Sequence, residues 1–310
     1  MAEAPLQTER RARPRRPFRR ARRDDERVRL LDQAVDLVRP EEVMLHLQRA
    51  IEEEHRTLVA NHNLHSLHLI GRSAEMRDFY AAADLVQVDS RPLLWFARAL
   101  GLSSRPFHRC TYLDWRDHFW SLADRQGWRV MAVGGAPGVG ETAAARLAAR
   151  YPGARIETRH GFFDMGEGSA ENAALLDDIA AFAPQVLFVG MGMPRQEAWI
   201  TRNLDRLPPC AILSVGAAFD YEAGAQKAAP RWTGRVGLEW AWRLFADPRR
   251  LFVRYCVEPW TLLPAAARDV RRALGRQRRA EADSARAAAN SASGFHSGQA
   301  SESARSRPTA

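Results

Sequence analysis

Asp89 is a carboxylate whose position in the sequence suits general base chemistry. It ends the apolar segment "LVQVD" (85–89), which is short and β-branched enough to form a strand. Ligands of parallel α/β sheets lie beyond the carboxyl ends of the strands, where a carboxylate can take a proton from a hydroxyl group. The same position also suits a helix N-cap, because Pro92 begins a predicted helix just after it. Ser90 could provide that cap instead and leave Asp89 available for chemistry.

Two glycine-rich turns follow other predicted strands, and the first is "VGGAPGVGETAA" (133–144). Its backbone N–H groups and the following helix dipole can hold a phosphate. The glycine spacing matches neither the dinucleotide GxGxxG pattern nor the Walker pattern. Glu157 still lies about where a dinucleotide site places its ribose-binding acid, so a nicotinamide enzyme remains an alternative. The candidate phosphate-binding residues of this turn are Gly134, Gly135 and Gly138.

The second turn lies in "VLFVGMGMPRQEAWI" (186–200), where a predicted strand runs through glycines into a helix. An amide in the first helical turn offers both a donor and an acceptor, which suits the edge of a base or a sugar. The alternative for the neighbouring carboxylate is that it only complements the helix dipole. The candidate ligand-binding residues here are Gly190, Gly192, Pro194, Gln196 and Glu197.

The metal-ligand signals in the sequence are weak. His62, His65 and His68 lie near one another, but packing and solvent roles compete with a metal site there. The three cysteines are far apart and form no CxxC pair. We therefore expect no metal, no disulfide framework and a reducing, cytoplasmic setting.

The charge of the chain is concentrated at its N-terminus. The net charge is +9, and residues 10–23 hold nine arginines. We expect residues 1–27 to form a disordered tail, either simply solvated or attracted to anionic lipid or nucleic acid. Residues 277–310 are rich in serine and alanine and are also expected to be disordered. No signal peptide core and no apolar run of about 18 residues is found, so we expect no membrane-spanning helix.

Apolar segments alternate with amphipathic ones across residues 28–228, which predicts a mostly parallel sheet with helices on both faces. The 46% apolar content is sufficient for a packed core. The predicted strands are residues 56–61, 85–89, 128–135, 154–158, 186–192 and 211–220. The predicted helices are residues 64–83, 92–101, 115–126, 139–150, 170–183 and 195–206.

Residues 229–276 differ in character and are predicted to form a helical appendage dense in tryptophan and arginine. Aromatic rings interleaved with arginines are typical of helices at a membrane surface. The alternative is a helical hairpin that packs its tryptophans on the sheet. We expect that packing for Trp232 and Trp240, and a membrane-facing role for the segment from Phe245 onward.

The motifs in their order resemble those of one known family. They are "ADLVQVDSRPLL", "VGGAPGV", "YPGARIETRHGFF", "VGMGMPRQEAWI", "SVGAAFDYEAG" and "GLEWAWRLFADPRRLFVRY". This series is similar to the WecG/TagA/CpsF glycosyltransferases (glycosyltransferase family 26) over roughly residues 43–260. The resemblance implies a Rossmann-like fold of the GT-E type. It also implies peripheral membrane enzymes that move a sugar, often of the N-acetylmannosamine type, from a UDP donor to a polyprenyl-diphosphate-linked acceptor, with inversion and without metal.

The resemblance also assigns roles to residues. The catalytic aspartate matches Asp89, and the polar residue at the preceding strand end matches Asn63. The uracil- and diphosphate-binding loops match Gly134–Val139 and Gly190–Glu197. The arginines that reach over the active site match Arg243, Arg250 and Arg254.

Three motifs depart from the family pattern. Asp89–Ser90 stands where many members have Asp-Gly, and Ala228–Ala229–Pro230 stands where many have Arg-Ala-Pro. The segment "HRCTYLDW" (108–115) replaces the usual R-x-T-G-x-D. These departures resemble a subgroup from exopolysaccharide gene clusters and leave the donor sugar and acceptor open.

We therefore predict an inverting, metal-independent hexosyltransferase that uses a UDP-sugar and needs no cofactor. Its expected partners are the nucleotide-sugar donor, the polyprenyl-linked acceptor and the anionic inner face of the plasma membrane; a homo-oligomer is left open. A Rossmann-type oxidoreductase using Glu157 is the first rival. A nucleic-acid-binding protein using the arginine tail is the second, and we expect no nucleic acid partner.

Overall fold

The structure is a computed structural model, and it describes residues 23, 25–226, 229–230, 233 and 237–302. The side chains of Ala246, Arg250 and residues 287–302 are outside this description. Residues 1–22, which carry most of the predicted arginine tail, and Trp232 also lie outside the described residues.

A six-stranded sheet forms the centre of the protein, and all its strand pairs are parallel. Its strands are β3 (Thr57–His62), β4 (Leu85–Val88), β5 (Arg129–Gly134), β6 (Arg155–Arg159), β7 (Val186–Gly190) and β8 (Ala211–Ser214). Their order across the sheet is β4-β3-β8-β7-β5-β6. Short apolar segments, most of them buried on both faces, form these strands, which confirms the predicted parallel α/β sheet.

Helices cover both faces of the sheet. In chain order they are α1 (Pro40–Glu52), α2 (Leu64–Ile70), α3 (Ala74–Ala82), α4 (Arg91–Ala99), α5 (Tyr112–Gln126), α6 (Val139–Arg150), α7 (Ala170–Phe182), α8 (Arg195–Asn203) and α9 (Ala218–Ala223). The helix predicted at 64–83 is two helices, because Ser73 starts α3 by accepting a hydrogen bond from the Met76 N–H at 3.2 Å. The strand predicted at 211–220 ends at Ser214, because Gly216 turns the chain with φ +54° and α9 follows.

The alternating side chains of β7 show how the core is divided between the two faces. Phe188 packs with Trp115 and Phe119 of α5 on one face. Leu187 packs on the opposite face in a cluster that includes Trp199 of α8. Burying each of these large side chains contributes about 2–3 kcal/mol. The helices are therefore fixed to the sheet from both sides.

The C-terminal region is helical, as expected. It contains α10 (Glu239–Ala246), α11 (Pro248–Phe252), a π-helical turn (Val253–Val257), a 3₁₀ segment (Glu258–Leu262) and α12 (Leu263–Glu302). Residues from 277 onward were expected to be disordered, but α12 continues through them to Glu302. The residues just after 276 are rich in alanine and arginine, which favour helix. Within the described part of the chain, no helix is both long enough and apolar enough to cross a membrane.

An N-terminal hairpin, β1 (Arg27–Leu30) with β2 (Gln33–Asp36), packs against α12. The Leu31 N–H donates to Asp269 Oδ2 at 2.6 Å, and both groups are buried. Asp32 at the hairpin tip is paired with Arg268 and Arg272. The Arg268 hydrogen bond is the main cause that lowers the pKa of Asp32. We call this group, Leu31, Asp32, Arg268, Asp269 and Arg272, the hairpin latch.

Three loops touch backbone to backbone at the carboxyl edge of the sheet. A Cβ atom on Gly134 would lie 2.3 Å from the Gly190 carbonyl oxygen. A Cβ on Gly190 would lie 2.3 Å from the Gly216 carbonyl oxygen. These positions therefore require glycine, because the loops that follow β5, β7 and β8 leave no room for a side chain.

We expect Gly134→Ala to lower the free energy of unfolding by about 2–3 kcal/mol, because the added methyl must push the Gly190 loop away. Urea unfolding measures the change. Gly275→Ala is the matched control, since no atom lies within 4 Å of its added Cβ. Within a helix this control should gain about 0.5–1 kcal/mol. Equal stability of Gly134→Ala and the wild type would contradict the close contact.

Candidate functional site

Two cavities open at the carboxyl edge of the sheet. The first, of about 370 Å³, lies beyond β3 and β4, and we call it the Asp89 cavity. The second, of about 880 Å³, lies beyond β5, β7 and β8, and we call it the glycine crevice. The Asp89 cavity is lined in part by Asn63, Asp89, Arg109, Glu239, Trp240, Arg243, Arg254 and Tyr255. The glycine crevice is lined in part by Gly135, Gly161, Phe162, Gly190, Gly192, Arg195, Gly216 and Asp220.

Asp89 directly follows β4 and is held at the sheet edge by its backbone. Its N–H donates to the His62 carbonyl oxygen at 2.9 Å, which continues the pairing of β3 with β4. Ser90 occupies the N-cap position of α4, although its side chain makes no capping hydrogen bond. Asp89 is therefore not the helix cap, and 29% of its side chain is exposed towards the cavity.

The surroundings of Asp89 make its carboxylate more basic. Burial raises its pKa, and the nearby cations Arg109 and Arg243 act in the opposite direction without cancelling that rise. Arg109 Nη2 lies 3.7 Å from Asp89 Oδ1. A carboxylate with a raised pKa is a stronger proton acceptor, which suits general base chemistry.

Arg109 and Glu239 join Asp89 to the C-terminal region. Arg109 donates through Nε to the Asp89 carbonyl oxygen at 3.0 Å and through Nη2 to Glu239 Oε2 at 2.5 Å. The other oxygen of Glu239 accepts from Arg243 Nη2 at 2.5 Å. The sequence alone does not point to Arg109 or Glu239. The available signals were the unusual motif around Arg109 and the four-residue spacing between Glu239 and Arg243 on one helix.

Asn63 lies in the Asp89 cavity, as its match to the family motif implied, but its side chain also has a structural task. Its Oδ1 accepts from the Ser66 N–H at 3.0 Å, and its own N–H donates to Ser66 Oγ at 3.0 Å. This is the capping box of α2. A catalytic role for Asn63 stays a prediction, and the oxygen of its amide is occupied by the cap.

Two of the three predicted C-terminal arginines line the Asp89 cavity. Burial is the largest single influence on the pKa of Arg243 and lowers it. The electrostatic effects of Tyr221, Glu239 and Asp89 together exceed that of burial, so the pKa of Arg243 is raised overall. Burial lowers the pKa of Arg254, and its buried Nε has no hydrogen-bond partner among the described residues. The side chain of Arg250 lies outside the described residues. The cavity thus has cationic groups positioned to attract an anion.

Of the two tryptophans expected to pack on the sheet, Trp232 lies outside the described residues and Trp240 does not pack as expected. Trp240 lines the Asp89 cavity, is 42% exposed and lies edge-on to Tyr255 with ring centroids 6.3 Å apart. It was expected to pack on the sheet, but α10 passes over the strand ends instead. Its ring therefore belongs to the cavity wall.

The three candidate histidines contact three different partners. His62 Nδ1 lies 3.0 Å from Ser66 Oγ, His65 Nδ1 lies 2.5 Å from Glu258 Oε2, and His68 Nδ1 lies 2.8 Å from Thr261 Oγ1. His65 and His68 thereby hold the 3₁₀ segment of the appendage onto α2. Among the residues that the structure describes, no group of three or more His, Cys, Asp or Glu side chains is arranged to hold a metal ion.

The glycine crevice contains part of the predicted donor-binding set. Gly135, Gly190 and Gly192 line it. Gly134 lies behind them, where its backbone contacts Gly190. Gly138 occupies the N-cap position of α6. Pro194 occupies the N-cap position of α8. Arg195 lies within the predicted loop Gly190–Glu197 but was not named there as a candidate. It lines the crevice and donates to the Gly161 and Phe163 carbonyl oxygens at 3.1 and 2.6 Å.

Gln196 and Glu197 do not face the crevice, contrary to the expectation that they read a ligand directly. Their exposed fractions are 1% and 0%. Gln196 Oε1 accepts from the Gly192 N–H at 3.2 Å, and its Nε2 donates to Glu197 Oε1 at 2.7 Å. The first turn of α8 lies beneath the loop, so its side chains hold the loop from inside.

Helix α9 separates the two cavities. Asp220 lines the glycine crevice, and burial raises the pKa of its carboxyl group. The next residue, Tyr221, interacts electrostatically with Arg243 and Asp89 on the other side. One short helix therefore contributes to both sites, which places them next to each other.

Glu157, on which the dinucleotide alternative depends, does not line the crevice. It lies in the edge strand β6, its side chain is 44% exposed, and it pairs with Arg159 at 3.9 Å. The arrangement thus gives no support to a ribose-binding role for this acid.

Comparison with known proteins matches most of the chain to one family. The model of the glycosyl transferase WecG/TagA/CpsF family matches residues 28–277. A curated relative, the N-acetylglucosaminyldiphosphoundecaprenol N-acetyl-beta-D-mannosaminyltransferase of Staphylococcus aureus strain MRSA252, is 31% identical over 144 residues, which are 46% of this chain and 55% of the relative. The protein of the same name from strain NCTC 8325 / PS 47 is 30% identical over the same shares. The chain thus spans about half the length of the curated relatives it matches.

We expect Arg109→Gln to raise the pKa of Asp89 further, because the cation 3.7 Å from its carboxylate is lost. Protonation of Asp89 should then begin at a higher pH than in the wild type. A pH titration of the Asp89 carboxyl carbon by NMR measures this. Arg155→Gln, at an exposed position on β6, is the control and should leave the titration unchanged. An unchanged Asp89 titration in Arg109→Gln would refute the electrostatic assignment.

Proposed function

The chain belongs to the WecG/TagA/CpsF family of glycosyl transferases, and we propose that it is an inverting hexosyltransferase that transfers a sugar from a UDP-sugar to a polyprenyl-diphosphate-linked acceptor. The observation that carries this proposal is the Asp89 carboxylate, whose pKa is raised, in a cavity with Arg243 and Arg254. A general base beside cations is what attack of a hydroxyl on a sugar diphosphate requires. The acceptor class is extended from the names of the Staphylococcus aureus relatives. A role in surface or exopolysaccharide synthesis is part of the same proposal.

The glycine crevice is the proposed site of the nucleotide. Gly135, Gly190 and Gly192 carry no side chain, so a ligand can approach their backbone N–H groups closely. Arg195 adds a cation at the rim. In this proposal the uridine lies in the crevice, and the diphosphate extends past α9 towards the Asp89 cavity.

In the proposed reaction, Asp89 takes the proton from the acceptor hydroxyl as its oxygen attacks the anomeric carbon. The bond from that carbon to the diphosphate oxygen breaks from the opposite face, and UDP leaves with the bonding electron pair, which inverts the anomeric configuration. Arg243 and Arg254 stabilise the charge that develops on the diphosphate. The proposal assigns this task to arginines and loop N–H groups, without a metal ion or cofactor.

The appendage is the proposed membrane-binding element. It carries exposed apolar side chains, namely Phe245, Phe252, Val253, Val257, Trp260 and Leu263, with Phe245 85% and Trp260 68% exposed. The same segment contributes Arg243 and Arg254 to the Asp89 cavity. Docking on the inner face of the plasma membrane would bury the apolar groups while these arginines meet the lipid-linked acceptor.

We expect Asp89→Asn to lower the rate of sugar transfer by about 10²- to 10⁴-fold, because the amide cannot accept the hydroxyl proton. The measurement is transfer of radiolabelled sugar from a panel of UDP-sugars to a polyprenyl-diphosphate-linked acceptor. Asp117→Asn is the control, since it removes an exposed acid of α5 that pairs with Arg116 and Arg150 and does not line the Asp89 cavity. Near-normal turnover of Asp89→Asn would exclude Asp89 as the base.

We expect Phe245→Glu to weaken binding to vesicles that contain anionic lipid by about tenfold or more, because an exposed aromatic anchor is replaced by a charge. Vesicle co-sedimentation measures the partition. Leu45→Glu on α1, where the native side chain is 44% exposed, is the control and should bind as the wild type does. Equal binding of both variants and the wild type would contradict the membrane-facing appendage.

A further inference from the structure

The first turn of α8 holds a buried polar pair that the proposed mechanism does not use. Glu197 is fully buried, and its Oε1 accepts from Gln196 Nε2 at 2.7 Å. The other end of the Gln196 amide accepts from the Gly192 N–H at 3.2 Å. Gly192 lines the glycine crevice. A continuous chain of hydrogen bonds therefore leads from a buried carboxyl group to a loop at the crevice wall.

The other oxygen of this carboxyl group is in an unusual position. Glu197 Oε2 is buried and has no hydrogen-bond partner among the described residues. Burial raises the pKa of Glu197 to about 7, although the Gln196 hydrogen bond opposes this rise. A group held at such a pKa changes charge within the physiological range.

The groups packed around Glu197 from other elements carry no charge at neutral pH. Tyr80 of α3 interacts with it electrostatically, and burial raises the pKa of Tyr80, so that its hydroxyl stays protonated. The Tyr80 ring stacks on His62 of β3 with centroids 4.0 Å apart. Burial lowers the pKa of His62 to about 3, which keeps its imidazole neutral. Farther along α8, Arg202 pairs with Glu75 on the exposed side.

We propose that Glu197 is a positioning residue, which through Gln196 fixes the Gly190–Gly192 loop for nucleotide binding. This inference rests on the proposed function for the identity of the nucleotide. An ionised carboxylate only accepts hydrogen bonds, so Gln196 must present its NH₂ group to Glu197 and its oxygen to the Gly192 N–H. A protonated carboxyl group can instead donate to the Gln196 oxygen and compete with Gly192. The ionised form therefore holds the loop, and the protonated form releases it.

Loop fixation and fold stability depend on pH in opposite directions. As the pH rises through about 7, Glu197 ionises and the loop becomes fixed. The pKa in the folded protein lies above its ordinary value of 4.5, so the folded state retains this proton longer than the unfolded chain does. The contribution of Glu197 to stability is thus present at low pH and is lost as the pH rises from about 4.5 through about 7.

The experiment measures UDP binding to the full chain between pH 6 and pH 8 by calorimetry. For the wild type we expect the Kd to be about five- to tenfold weaker at pH 6 than at pH 8. Glu197→Gln should bind weakly at both pH values, because its side chain resembles the protonated acid. Gln196→Ala should show the same loss, and the double variant should be no weaker than either single variant. Additive losses or an unchanged pH dependence in Glu197→Gln would overturn the proposal.

Thr201→Val is the matched control on the same helix. The Thr201 hydroxyl is buried without a partner among the described residues, so its removal should leave UDP binding and its pH dependence unchanged. A loss of binding in this control equal to that of Glu197→Gln would show that any buried change in α8 is sufficient, and would overturn the positioning role.

A second measurement needs no nucleotide and no variant. The amide resonance of Gly192 in the wild type should titrate with a midpoint near pH 7 in NMR spectra, since its acceptor responds to Glu197. Absence of this titration overturns the proposal even where Glu197→Gln fails to fold. If the titration is present and UDP does not bind the wild type, the positioning role stands and the UDP assignment of the proposed function fails.

Discussion

The contact between the Gly134, Gly190 and Gly216 backbones is the constraint on which both cavities depend. It brings the loops after three adjacent strands to the same height above the sheet. The crevice can then be walled by backbone, and α9 starts directly behind it, two residues after Gly216. The same helix carries Tyr221, which interacts electrostatically with Asp89 and Arg243 of the neighbouring cavity. The position of the three loops therefore also affects how the two cavities lie relative to each other.

Within the Asp89 cavity, stability depends on how buried charges share partners. Glu239 is bound by Arg109 and Arg243, while Arg109 also holds the backbone of Asp89. Removing one member of such a group leaves another partly buried charge without its partner, and this costs more stability than the intact pair contributes. Among the described residues, no arginine binds the Asp89 carboxylate in a bidentate way, since Arg109 Nη2 lies 3.7 Å away. Its carboxylate therefore keeps capacity to accept a proton.

Local patterns predicted the parallel sheet and the family, because strand composition and loop motifs are readable along the chain. They did not predict Arg109 and Glu239, which lie 130 residues apart and meet only through the fold. The patterns placed Gln196 and Glu197 correctly in the first turn of α8 but predicted that their side chains face the ligand. The rotation of α8 about its own axis is set by packing against α3 and the sheet, and it buries both side chains. The hairpin β1–β2 was missed because its four-residue strands are too short to give a periodic signal. Helix α1 was missed although Val43, Leu47 and Ala50 recur at helical spacing after Pro40, a signal that the sequence did contain.

The hairpin latch has a consequence for how the protein is made. Leu31 and Asp269 are 238 residues apart, and the buried cluster at the hairpin includes Ala273 of α12. A ribosome therefore releases the hairpin long before the helix that covers it has been synthesised. During that interval the hairpin can pack only on the earlier members of its cluster, such as Val88, Leu93 and Leu94, and the side that Ala273 covers stays exposed. Domains of this length fold through intermediates that expose such surfaces. Completion of the Asp89 cavity by the appendage and closure of the latch thus both come after the α/β core has been synthesised.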